Sequence, residues 1–197
     1  FVVDQGNNRI LIWNKLPRET GAPADLVLGQ KDFYSREVNG GVGARIACDS
    51  GLYFPTDIVY GRKGLFVSDS SNNRILVWKK FPTENGQPAD LVIGQADFVQ
   101  NKYNRNGAIT AGTLNDPYGL YLEEDLEDDE DNGKLYICDR GNSRVVVWDE
   151  LPFAPDEEKE VEEDPDKIVY ESEELMGDDD DFMDDDDDDP SNSMPVT

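Results

Sequence analysis

The chain has 197 residues, with 44 Asp and Glu against 18 Lys and Arg, no histidine, and a formal charge of -26. Residues Phe153 to Thr197 hold 21 acidic and 2 basic residues, which leaves 23 and 16 for the first 152, so nearly three quarters of the net charge sits in the last quarter of the chain. Such a surface repels phosphate backbones, whose usual partners are clustered Lys and Arg, and no run approaches the ~18 apolar residues of a spanning helix. Nucleic-acid binding and membrane insertion are therefore not expected.

The absence of histidine removes Ser-His-Asp and Cys-His catalysis and His-ligated zinc. Cys48 and Cys138 cannot build a structural zinc site by themselves and could form at most one disulfide. The chain opens at Phe1, in the middle of the repeat described next, which leads us to expect a fragment of a longer protein.

In chain order, FVVDQGNNRILIWNKLP from Phe1 recurs as LFVSDSSNNRILVWKKFP from Leu65 and LYICDRGNSRVVVWDELP from Leu135. Arg9, Arg74 and Arg144 are spaced by 65 and 70 residues, as are Trp13, Trp78 and Trp148. A second match, GAPADLVLGQKDF from Gly21 and GQPADLVIGQADF from Gly86, keeps the 65-residue offset, while PDKIVY from Pro165 is a degenerate third copy without the Gly-Gln pair. In the middle unit four strands are expected, Thr56 to Tyr60, Leu65 to Ser68, Arg74 to Lys79 and Ala89 to Gly94, separated by Ser-Ser-Asn-Asn and PTENGQP turns. The third unit gains eight residues in its first hairpin, the acidic EEDLEDDEDNG from Glu123, and loses three in the preceding connection, which accounts for the change of period.

Repeats of four short strands with periodic turn and aromatic signals indicate an all-β chain built as a β-propeller of four-stranded antiparallel blades. The expected organisation is a partial first blade over 1–30, a second over 55–95 and a third over 117–170 with a degenerate last strand. Residues 1–152 form the blades, and 153–197 an acidic tail expected to be disordered. Eleven strands make an incomplete ring of under three blades, so closure requires the remaining blades or another chain.

The pattern resembles the NHL-repeat family of β-propellers, in the long-period form where NNRILVW is followed by NGQPADLVIGQADF. The resemblance covers about residues 1 to 152. It implies a propeller, commonly six-bladed, used as a rigid platform for protein partners, and an extracellular or cell-surface location. Some relatives of the fold are lyases or lactonases. The amidating lyase type relies on His ligands that are absent here, and no unpaired acid breaks the repeat in a place facing the channel, as lactonase-type Glu, Asn and Asp sites would require, so no enzymatic activity is expected, a propeller hydrolase or lyase with its site in the missing blades being the less favoured alternative.

Asp4, Asp69 and Asp139, each paired with an Arg five residues on, read as hairpin architecture, as do the Gly-Gln pairs Gly29-Gln30 and Gly94-Gln95 and the three tryptophans, which are expected between blades. GGVG at Gly40 lacks the Lys and helix of a phosphate loop and reads as a flexible connection. Asp128, Glu130 and Asn132, with Asp139 at the twelfth place, resemble part of a calcium loop that would hold Ca2+ at low affinity, although Asp139 is already committed to the repeat. In the tail, the runs Asp178 to Asp181 and Asp184 to Asp189 flank the apolar pair Phe182-Met183. These runs would attract a basic protein partner or divalent cations, and the pair would anchor a partner surface; the competing reading is a calcium-binding structural protein of the cell surface or exterior.

Overall fold

In the computed structural model the described residues are 1–124 and 133–149, and they lie in one compact unit, Phe1–Glu158; a second unit, Lys159–Thr197, falls outside them. Ten strands are formed among the described residues: β1 Val2–Asp4, β2 Arg9–Ile12, β3 Leu26–Leu28, β4 Pro55–Gly61, β5 Gly64–Asp69, β6 Arg74–Trp78, β7 Leu91–Ile93, β8 Pro117–Glu123, β9 Lys134–Asp139 and β10 Arg144–Trp148. They make three antiparallel sheets, β1-β2-β3, β4-β5-β6-β7 and β8-β9-β10. Among the described residues helix is confined to short 3-10 turns, so their fold is all-β.

Each sheet follows the sequence repeat. The β1-β2, β5-β6 and β9-β10 hairpins pair Asp4 with Arg9, Asp69 with Arg74 and Asp139 with Arg144. Each reverses through a 3-10 turn that ends on a left-handed residue, Asn8, Asn73 or Ser143, with φ of 53°, 56° and 52°. Asparagine enters this region more readily than most residues because its short side chain bonds nearby backbone, which explains the Asn-Asn signature. The acidic insertion falls where the offsets place it: β4 and β5 are joined through Arg62 and Lys63, whereas β8 and β9 are joined through residues 124–133.

Strand β7 is shorter than expected, Leu91–Ile93 against Ala89 to Gly94, because Asp90 ends the ladder. Its amide donates to the Val77 carbonyl at 2.8 Å and its carboxylate accepts from the Lys79 amide at 2.8 Å. Asp25 does the same with Ile12 and Asn14.

Alternation along the strands sends successive side chains to opposite faces, and in the middle sheet both faces are buried. Leu65, Val67, Leu76 and Trp78 pack on Ile10, Ile12 and Leu28 of the first sheet. Phe66, Ile75, Val77 and Ile93 pack on Leu135 and Ile137 of the third. The sheets are therefore stacked face to face with the same polarity at both junctions: the face of β5 and β6 carrying Leu65, Val67, Leu76 and Trp78 looks back, and its counterpart in β9 and β10, carrying Leu135, Ile137, Val146 and Trp148, also looks back. One leucine from each connection, Leu52 or Leu114, completes the junction.

Candidate interaction surface

The repeated charges are consumed in holding this stack. Arg74 Nε donates to Asp69 Oδ2 at 2.7 Å with both side chains fully buried. The carboxylate also accepts from Asn72 Nδ2 at 2.7 Å and from the Tyr53 amide at 2.7 Å. The guanidinium donates to the carbonyls of Phe98, Cys48 and Gly51 at 2.7, 2.8 and 3.0 Å, tying the connections on both sides of the middle sheet to one side chain. Burial pushes the Asp69 carboxyl above the ordinary carboxylate range, against the opposing pull of Arg74, Asn72 and Tyr53.

The flanking copies repeat the geometry. Arg9 and Arg144 each meet their Asp at 2.7 Å, Arg9 reaching the Phe33 carbonyl and Arg144 those of Thr110 and Thr113. The backbone amides received by Asp69 and Asp139, from Tyr53 and Asn115, belong to the preceding connection, while the hairpin turn supplies the side-chain amides of Asn72 and Asn142.

The Gly-Gln pairs are equally architectural. Gln30 donates to the Asn8 and Glu37 carbonyls, and Gln95 to those of Asn73 and Lys102, at 2.8 to 3.0 Å. Two asparagines outside the recognised motifs matter as much. Asn39 and Asn72 exchange amide hydrogen bonds of 3.3 and 2.6 Å, and Asn104 and Asn142 exchange bonds of 3.0 and 2.9 Å. Their signal was the 65-residue offset between Asn39 and Asn104, continued beyond the Gly-Gln motif into a stretch with few other matches. Gly40 and Gly41 of GGVG, expected as a flexible connection, lie in the 3-10 turn Val38–Gly41, in which Asn39 is fully buried.

Of the calcium-loop residues, Asp139 is buried with both carboxylate oxygens engaged by Arg144, Asn142 and the Asn115 amide. Asp128, Glu130 and Asn132 lie outside the described residues, as do Asp178, Asp181, Phe182, Met183, Asp184 and Asp189. Cys48 and Cys138 are free thiols.

What the stack leaves open is its two outer faces. On the third sheet Tyr121 and Val145 are each 62% exposed and Val147 is 44% exposed, whereas their counterparts in the middle sheet, Val59, Ile75 and Val77, lie in the junction. On the first sheet Val2 is 48% and Leu16 90% exposed, and Trp13 is half-buried, not enclosed between sheets as Trp78 is. A groove of about 310 Å³ lined by Phe1, Val2, Trp13, Leu16 and Pro17 opens on that face. Comparison of the chain with protein-family models, curated proteins and solved structures gave no match.

Proposed function

We propose that residues 1–152 are blades of an NHL-like β-propeller serving as a non-enzymatic scaffold for protein-protein interaction, and that the acidic segment 153–197 recruits a basic partner. The observation that carries the first part is the uniform polarity of the stack. Each repeat forms one antiparallel sheet, and each lays the same face on the opposite face of the one before, which is the way consecutive blades pack around a propeller. The repeated ionisable groups are spent on tying connections to sheets, which favours a platform over a reaction centre.

The second part rests on charge. A segment of net -19 acts at contact distance even though salt screens it beyond roughly 8 Å under physiological conditions. Titration calorimetry of the full chain and of a chain ending at Met176, with a basic protein and separately with millimolar Ca2+, tests it. Binding of the basic protein should weaken steeply with salt and be mostly lost on truncation, and equal binding by both chains would overturn the role of the segment. Response to Ca2+ in place of the protein would support the cation-binding reading. Phe182→Ser with Met183→Ser separates a purely electrostatic contact, which would not change, from one anchored by the apolar pair.

A further inference from the structure

The two long connections, 29–54 and 94–116, lie side by side at one end of the strands. The Ala47 amide donates to the Val99 carbonyl at 3.0 Å, and Asn101 Nδ2 donates to the Ala44 carbonyl at 3.0 Å. Buried Asn39 holds the Gly43 and Ile46 carbonyls, each at 3.0 Å. These bonds fix the backbone of 43–47 against the neighbouring connection, yet Val42, Ile46 and Val99 stay 57%, 52% and 56% exposed. Both connections are present here, so this exposure is a property of the joined repeats. Apolar side chains held at a surface on a rigid backbone suit a contact site, because little freedom is lost when a partner covers them.

The charges beside these side chains are cationic. Arg45 and Lys102 each follow one member of the Ala44-Asn101 bond, both are exposed, and neither makes an ion pair among the described residues. The acid next to Val99 is already committed: Asp97 Oδ1 accepts the Val99 and Gln100 amides, and Oδ2 accepts from Gln100 Nε2. The described residues carry 16 acidic and 16 basic side chains, so the fold beneath this surface is neutral and the charge of -26 belongs to 125–132 and 150–197. We infer that the connection surface docks a partner protein through a segment in which carboxylates flank a large apolar side chain. The carboxylates take charge-assisted hydrogen bonds from Arg45 and Lys102, and the apolar side chain settles among Val42, Ile46 and Val99. This rests on the scaffold reading above and deepens it, and it is separate from the acidic segment, which takes a partner of the opposite charge.

Fluorescence anisotropy of the full chain with a labelled peptide, acetyl-Asp-Glu-Leu-Phe-Asp-Glu-amide, tests this. The peptide should bind, and Arg45→Glu and the double variant Ile46→Ser with Val99→Ser should each weaken binding on the order of tenfold, as truncation of contact-centre residues does. All three positions are exposed, and retention of the strand circular dichroism signal shows that the variants fold. A second peptide with Ser in place of Leu and Phe should bind weakly and be indifferent to the Ile46 and Val99 substitutions, because the contact those side chains make is then already gone. Absence of binding by the first peptide would overturn the inference. Binding that survives every substitution would also overturn it by placing the contact elsewhere, while leaving the scaffold reading intact. Loss in Arg45→Glu alone would reduce the contact to charge attraction and would count equally against it. The scaffold reading fails instead if neither this peptide nor the basic protein binds.

Discussion

Arg74 and Asp69 sit in the middle repeat with neither side chain accessible to water, whereas the same pair in the first repeat, Arg9 and Asp4, is 18% and 25% exposed. The difference comes from position in the stack, because Arg74 is enclosed by connections on both sides. Removing one partner of a buried pair strands the other charge, at a cost of about 3–5 kcal/mol, while partly exposed pairs contribute about 1 kcal/mol or less. Arg74→Ala should therefore lower the unfolding midpoint in urea far more than Arg9→Ala. Equal losses would show that the two sites are equally solvated.

Gly94 approaches Leu114 so closely that an added Cβ would stand 2.7 Å from Leu114 Cδ1, and its φ of +92° is one that side-chain-bearing residues rarely adopt. Gly29 repeats this against Leu52, at 2.6 Å and φ +84°. Each junction needs its leucine seated over a glycine, so Gly94→Ala should cost about 1–3 kcal/mol from overpacking and backbone strain together. Gly6→Ala, with nothing within 4 Å and no positive φ, is the control and should be nearly neutral. Thermal unfolding of the two variants checks both.

Much of this was legible in the sequence because the repeat fixes both turn chemistry and period. Strand β4, expected over Thr56 to Tyr60, spans Pro55–Gly61, and Arg74–Trp78 differs from its expected range by one residue. The lengthened hairpin between β8 and β9 follows from the offsets alone. The interface asparagines were less visible, since Asn39 and Asn104 share an offset but few neighbours, Gly40 standing where the other copy has Arg105. The open faces were hidden for a different reason. Both faces of every strand pair are apolar, so alternation cannot say which is covered; that depends on how many sheets stack and in which direction.

The reciprocal amide pair Asn39-Asn72 is buried, and Asn39 also donates to the Gly43 and Ile46 carbonyls at 3.0 Å. Replacing either member leaves a buried amide short of partners, at about 1–3 kcal/mol. Asn39→Ala and Asn72→Ala should each destabilise by that order, and the double variant by less than the sum. The expected coupling is about 0.5–3 kcal/mol, as for side chains in one hydrogen-bond network. Additive losses in a double-mutant cycle would place the two asparagines in separate roles.

Asp32 and Asp97, again 65 residues apart, each fold the chain after a Gly-Gln pair by accepting two successive amides. Asp32 Oδ1 accepts from Tyr34 and Ser35 at 2.9 and 2.7 Å, and Asp97 Oδ1 from Val99 and Gln100 at 2.9 and 2.8 Å. Both carboxyls are held below the ordinary range, Asp32 chiefly by the Ser35 side chain and Asp97 chiefly by the Gln100 backbone amide. Since the folded pKa lies below that of the unfolded chain, near 4, the stabilisation is complete above that value and disappears as pH falls through the folded one. Carboxyl-carbon NMR titration should give both residues midpoints below the ordinary aspartate value. Ser35→Ala should move Asp32 upward, while Gln100→Ala should leave most of the depression at Asp97, because a backbone amide survives side-chain truncation. Midpoints at or above the ordinary value would remove these turns from the acid-sensitive part of the fold.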